Sequence, residues 1–225
     1  MKKTLSLISV LISLFGSQAY AKTEGNYVGI NLLRSNLKTN SSSFSEVDKN
    51  SFYNRKNKIS RNGIGLNYKY AFNFNNFFIA PEISYESLNN ETTSASFYNK
   101  NNENFGSFLQ NLRIKNAISL KSNFGYDFNE QFAFFIPLGV SRFGYEVESN
   151  DISINSLKTS SKSANKSVII SGLGLSYQKN KNWIFNLEYN KYQNFKIKSV
   201  ANYNSGETIV KTNLDTIKLG ISYRF

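Results

Sequence analysis

The chain closes on Thr216-Ile-Lys-Leu-Gly-Ile-Ser-Tyr-Arg-Phe225, and its side chains alternate without interruption. Ile217, Leu219, Ile221, Tyr223 and Phe225 are apolar, and the residues between them are polar or small. A period of two means a strand with one apolar and one wet face. A water-soluble domain gains little from an exposed terminal Phe. A strand between lipid and an aqueous lumen needs this alternation, with aromatic residues at the interface.

The opposite end agrees. Lys2 and Lys3 precede an apolar run from Leu5 to Phe15, and Ala19-Tyr20-Ala21 offers small residues for cleavage. A run of ~11 residues suits a secretory leader and falls short of the ~20 a spanning helix needs. The predicted division is a signal peptide over 1–21 and one domain over 22–225. Mean hydropathy is −0.40, which does not count against a membrane barrel, because half of every barrel strand is polar.

Eight strands are predicted. They are Asn26–Arg34, Ile59–Tyr70, Phe77–Ser87, Phe108–Tyr126, Gln131–Val147, Ser167–Gln178, Asn182–Phe195 and Ile209–Phe225. Each reaches the ~9–11 residues of a tilted membrane strand. On the fourth, Leu112, Ile114, Ile118, Leu120 and Phe124 are assigned outward, and Arg113, Lys115, Ala117, Ser119 and Lys121 inward. Pro81 in mid-strand suggests a bulge. The parity change from Val140 to Phe143, Tyr145 and Val147 suggests another near Arg142.

The connections alternate in length. Long ones are expected at Ser35–Lys58, Leu88–Ser107 and Glu148–Lys166, with a shorter one at Lys196–Thr208. Tight ones are expected at Ala71–Asn76, Asp127–Glu130 and Lys179–Lys181. An up-and-down barrel with short periplasmic turns and longer outer loops produces this alternation. Aromatics gather at the tight-turn ends: Tyr27, Tyr68, Tyr70, Phe72, Phe74, Phe77, Phe78, Phe124, Tyr126, Phe128, Phe132, Phe134, Tyr177, Trp183, Phe185, Tyr223 and Phe225. A sparser outer belt would hold Tyr85, Tyr145, Tyr189 and Tyr192. The competing fold is a secreted soluble barrel or sandwich, its core lined by the same alternating residues.

Leader, strand number, turns and closing Tyr-Arg-Phe together resemble the eight-stranded outer-membrane barrels: the OmpA transmembrane domain, OmpX and the opacity-like surface proteins. Local echoes are Asn26-Tyr-Val-Gly-Ile-Asn31, Pro81-Glu-Ile-Ser-Tyr85 and Gly172-Leu-Gly-Leu-Ser-Tyr177. The resemblance covers the whole mature chain. It implies an all-β, eight-stranded antiparallel transmembrane barrel in the bacterial outer membrane. It also implies that Ile221, Tyr223 and Phe225 form a signal for the barrel-assembly machinery.

The absence of His and Cys removes histidine acid–base chemistry, disulfides and thiolate chemistry. The His-dependent lipid enzymes and proteases among small barrels therefore do not transfer. No cofactor and no metal is expected. Glu82, Glu86 and Glu188 are predicted to face the lumen, where a carboxylate needs a cation. Lys218 is the expected neighbour of Glu188 and Lys121 of Glu82, with Arg113 or Lys115 near Glu86. The OmpA-like resemblance implies that such residues form an interior ionic cluster that plugs the barrel. Acid–base catalysis by the paired carboxylates is the weaker reading.

Net charge is +12, and +10 once Lys2 and Lys3 leave with the leader. The charge is spread, not gathered into the compact patch nucleic acid needs. Lys38, Lys49, Arg55, Lys56 and Lys58, against Glu46 and Asp48, lie in the first expected loop, and Lys158, Lys162 and Lys166 in the third. Solvated loops without specific partners are the plain reading. The sharper one has Arg34, Arg61, Arg142, Lys191 and Lys196 neutralising lipopolysaccharide phosphates in the surrounding lipid, and the loop lysines meeting a host surface protein or anionic glycan. The functional expectation is a monomeric, non-enzymatic surface barrel acting as an adhesin or antigen, and the alternative is a narrow pore.

Overall fold

The computed structural model describes residues 24–44, 52–100, 104–153, 156–200 and 207–225. The segment 1–21, expected to be a leader, lies outside the described residues, as do Glu46, Asp48 and Lys49. The strands are β1 Gly25–Phe44, β2 Phe52–Phe74, β3 Phe77–Lys100, β4 Asn104–Asp127, β5 Phe132–Ser153, β6 Ser156–Gln178, β7 Trp183–Tyr192, β8 Phe195–Val200 and β9 Glu207–Arg224. Each strand pairs antiparallel with its neighbours, and β1 closes onto β9. Both β7 and β8 pair with β9, so they are two pieces of one strand, and the barrel has eight.

The strands run far beyond the predicted ones. Most of the three expected long loops is hairpin, and the shorter fourth one also pairs: β1 and β2, for example, stay in register from Gly25↔Ala71 to Phe44↔Phe52. Lys38, Arg55, Lys56, Lys58, Lys158, Lys162 and Lys166 therefore sit on strands. The inner turns are tight. Asn75, at φ 59°, and Asn76 alone separate β2 from β3, a tighter connection than Ala71–Asn76. Asn adopts this left-handed conformation more readily than other non-glycine residues. The other two turns share one device. Asn129 Oδ1 accepts from the N–H groups of Gln131 and Phe132 at 2.9 and 2.8 Å, and Asn180 Oδ1 from those of Asn182 and Trp183 at 3.0 and 2.9 Å. Each side chain closes its own turn.

The lower half is a membrane wall. Ile30, Leu32, Leu66, Ile83, Ile118, Leu120, Leu138, Leu173, Leu187 and Leu219 all point outward and are exposed on the isolated chain. Below them, Phe77 meets Tyr126, Tyr126 meets Phe128, Phe132 meets Tyr177, Tyr177 meets Phe185 and Trp183 meets Tyr223. These contacts form a girdle at the tight-turn end, where amphipathic rings belong. Tyr27 and Phe78, expected in that girdle, point into the barrel and are buried.

The upper half is built differently. The β2–β3 ladder ends at Ile64↔Ser87, and the β6–β7 ladder at Ile170↔Tyr192. Beyond these pairs, among the described residues, β8-β9-β1-β2 form one sheet and β3-β4-β5-β6 another. The two sheets face each other across a shared core. One contributes Leu37, Phe195, Ile197, Val210 and Leu214; the other contributes Leu88, Leu112, Ile114, Phe143, Val147 and Val168. Phe143 stacks on Phe195 at 5.8 Å and meets Tyr192 edge-on at 4.9 Å. Asn57 Nδ2 donates to the Thr93 carbonyl at 2.8 Å, tying the β2/β3 seam.

Register irregularities mark the border. One lies between Ile114 and Asn116 on β4, another between Ser87 and Asn90 on β3, and Gln193 and Asn194 interrupt the seventh strand. The extra residue on β4 reverses its facing above that point. Leu112 and Ile114 are buried inside, and Arg113 and Lys115 stand outside, the opposite of the expected assignment. The two predicted bulges are absent. Pro81 pairs with Ser122 in unbroken register, while two residues simply drop out of the β2 ladder. At Arg142 the β5 registers are regular on both sides. Phe143, Tyr145 and Val147 face inward because the apolar side of the strand changes there. Tyr145 and Tyr192 are therefore core residues rather than parts of an outer belt, whereas Tyr85 and Tyr189 do face outward.

Candidate functional site: a layered lumen and a basic outer face

At mid-membrane depth the inward residues are ionic. Glu82 and Lys121 are directly opposed across β3 and β4, as are Glu188 and Lys218 across β7 and β9. Lys121 Nζ lies 3.4 Å from Glu82 and also bonds Glu188. Lys218 Nζ lies 3.4 Å from Glu188 and also bonds Glu86. Both expected pairs therefore form, and the second bond of each lysine joins them into one chain. Asn123 Nδ2 donates to Glu82 at 2.7 Å, Asn190 donates to Glu188, and the Tyr192 hydroxyl donates to Glu86 at 3.2 Å. Lys69, directly opposite Glu82, extends the row, with its Nζ 5.2 Å from the Tyr27 ring centre.

Three lysines thus face three glutamates, and this layer of the lumen is neutral by formal charge. Glu82, Glu86, Glu188, Lys121 and Lys218 are all buried. This matters because breaking one partner of such a pair leaves an uncompensated charge in a place water does not reach.

Apolar layers lie above and below the ionic one. Beneath it are Tyr27, Ala71, Phe78, Ala80, Ala133, Phe135 and Ile184. Two glycines make room for the rings: a Cβ on Gly125 would lie 2.0 Å from the Phe78 ring, and one on Gly174 2.1 Å from that of Phe135. Above it lies the core of the upper sheets, with Leu88, Leu112, Ile114 and Phe143 all buried to 2% exposure or less.

Arg113 and Lys115 do not join this cluster. The β4 bulge carries them to the outer surface. There Arg113 pairs with Glu91 at 2.8 Å and Lys115 with Glu146 at 2.8 Å. Hydrogen bonds from Lys115 and Ser161 hold the Glu146 carboxyl below its ordinary value. Lys69, Asn123, Asn190 and Tyr192 belong to the site although the sequence reading did not single them out. The Lys69–Glu82 pairing follows once the Asn75–Asn76 turn sets the hairpin register, which is the signal that could have found it.

Ile221, Tyr223 and Phe225 all face outward on the closing strand. The strand is held on both sides to its last residues: Arg224 N–H donates to the Asn182 carbonyl at 2.7 Å, and Phe225 N–H to that of Asn26 at 3.1 Å. Of the residues expected at the rim, Arg34, Arg61, Arg142, Lys191 and Lys196 are all exposed, but Lys196, opposite Lys211 and so level with Asn40, stands higher than the others.

A family model for the outer membrane protein β-barrel domain matches residues 7–225. The chain belongs to that family. This outer-membrane barrel has no significant match among curated proteins. Among solved structures, OprG from Pseudomonas aeruginosa is 14% identical with a TM-score of 0.55, covering 92% of this chain and 98% of its own. The outer membrane protease OmpT from Escherichia coli is 10% identical with a TM-score of 0.53, covering 94% and 100%. Ail, the attachment invasion locus protein of Yersinia pestis, is 18% identical with a TM-score of 0.40, covering 90% and 100%. At these identities the likeness to OprG and OmpT is one of fold.

Proposed function

We propose that this outer-membrane barrel is a non-enzymatic, non-conducting surface protein, an adhesin or antigen that works through its two-sheet extracellular half. The observation that carries this reading is the order of the lumen: an ionic layer between two apolar ones. An ion entering from either side meets side chains packed as in a protein interior, where a bare charge is strongly disfavoured. The three carboxylates are occupied by lysines, asparagines and a tyrosine, so none is placed to act on a substrate. What remains open to recognition is the upper half, which extends well beyond the lipid-facing ring.

In this reading Glu82, Glu86, Glu188, Lys121, Lys218 and Lys69 form the polar part of the plug. Arg34, Arg61, Arg142 and Lys191 neutralise lipopolysaccharide phosphates at the rim, and Lys196, level with Asn40, meets them higher on the wall. Ile221, Tyr223 and Phe225 serve barrel assembly, the leader is cleaved after Ala21, and the barrel acts as a monomer. A host surface protein or anionic glycan is the partner class for the upper half.

Planar-bilayer recording tests the closed lumen. No reproducible channel is expected; steady channels that disappear on Glu188→Gln/Lys218→Met would establish the narrow-pore alternative. Attachment tests the surface role. Shortening the four outer hairpins to the level of Ser87 and Asn116 should abolish binding of expressing cells to host cells or matrix, with heat-modifiable migration retained. Unchanged binding would remove the support for adhesion.

A further inference from the structure

Five lysines gather on the outer face of the β8-β9-β1-β2 sheet. Lys196 lies directly opposite Lys211, Lys211 opposite Asn40 and Asn40 opposite Lys56, making one row across four strands. The neighbouring row has Asn213 opposite Lys38 and Lys38 opposite Lys58. Together with Asn194 these residues line a groove of about 430 Å³. None of the five lysines has an ion pair with a described residue, and Asn40 Oδ1 is buried without a hydrogen-bond partner among them.

Two of these pairings, Lys196 with Lys211 and Lys38 with Lys58, set like charges directly across adjacent strands, which is destabilising. Protection of open sheet edges accounts for lysines on β2 and β8. It does not account for Lys38 on β1 or Lys211 on β9, which are central strands of this sheet. A bound polyanion accounts for all five.

Position narrows the source of that anion. Lys38 is six residues beyond Leu32, an outward apolar residue on the same strand. At ~3.3 Å per residue this is ~20 Å along the strand, or ~15 Å of height at the tilt of a membrane barrel. The groove opens sideways at that height, within the saccharide layer of its own leaflet.

We propose that this groove binds the phosphorylated core oligosaccharide of the surrounding lipopolysaccharide, with the lysines on phosphates and Asn40, Asn194 and Asn213 on sugar hydroxyls. The proposal deepens the surface-recognition reading by giving one face of the upper half a ligand. It does not require adhesion, so cells that attach normally without the groove lysines leave it standing.

The test uses the full chain refolded in detergent, with folding confirmed by heat-modifiable migration. The probe is phosphorylated core oligosaccharide freed from lipid A. Its comparators are the dephosphorylated form and a sulfated glycosaminoglycan fragment of equal length. Lys38→Gln/Lys58→Gln/Lys196→Gln/Lys211→Gln should weaken binding of the phosphorylated probe at least tenfold and raise the Tm of the ligand-free barrel. The control Lys162→Gln/Lys166→Gln/Lys179→Gln/Lys181→Gln removes the same charge elsewhere and should weaken binding less than threefold. Dephosphorylation should abolish binding. Equal losses in both variants would reduce the effect to net charge and overturn the proposal. So would unchanged binding by the groove variant, or binding of the sulfated fragment in preference to the core.

Discussion

Below the level of Ser87, Asn116 and Gln193, the outer wall of this molecule is apolar and much of the inner wall is polar. Above it the arrangement is exchanged. On β5 a single unbroken strand carries both: Phe132, Ile136, Leu138 and Val140 face outward low down, and Phe143, Tyr145 and Val147 face inward higher up. The backbone does not change its facing there; the medium outside it does. Lipid outside requires apolar residues outside, and water outside returns them to the interior. The lower half is closed by strand pairing all round. The upper half can open into two sheets because its apolar core, rather than a complete hydrogen-bonded ring, holds it together.

The two halves should therefore fail in different ways. The largest effect is expected from Glu188→Ala, which strips Lys121 and Lys218 of a shared partner. Loss of one member of a buried ion pair costs about 3–5 kcal/mol, to be read from urea unfolding in micelles. Phe143→Ala should cost about 3–5 kcal/mol by opening a cavity in the upper core. It should raise protease sensitivity above the membrane while the lower barrel keeps its heat-modifiable migration. Concerted loss of both halves would break the comparison. Leu120→Arg on the lipid face should cost about 2–4 kcal/mol, whereas Arg142→Leu, one outward position above Val140 on β5, should change stability by less than about 0.5 kcal/mol.

The smallest effect concerns pH. Glu146 is held below its ordinary value of 4.5, so its contribution is complete above that value and lost as pH falls through the lowered one. Lys115→Met should bring the Glu146 titration, followed by NMR, back toward the ordinary value. An unmoved titration would detach Glu146 from Lys115.

Much of the lower half was legible in the sequence, because membrane strands must alternate and their hairpins are tight. The Glu82–Lys121 and Glu188–Lys218 pairs followed from inward facing and similar depth. Glu86–Lys218 did not, since β3 and β9 meet only across the lumen. Arg113 and Lys115 were misplaced for a definite reason. Leu112, Ile114, Ile118 and Leu120 share one parity and read as one face, and the extra residue at Lys115 leaves no mark in composition. The same parity argument mistook a change of medium at Arg142 for a bulge. The long outer hairpins, rich in Asn, Ser and Lys, carry a loop's composition, yet they pair as strands over a core supplied by only a few residues from each.

Site-specific labelling of single thiols tests the exchange of faces most directly, since the chain has no cysteine of its own. A membrane-impermeant maleimide is applied to the folded protein in lipid vesicles, with cysteine placed in turn at 112, 113, 142 and 143. Rapid labelling of Arg113→Cys and Arg142→Cys, with Leu112→Cys and Phe143→Cys protected until unfolding, is the predicted result. Rapid labelling at Leu112→Cys and Phe143→Cys, with Arg113→Cys and Arg142→Cys protected, would contradict it.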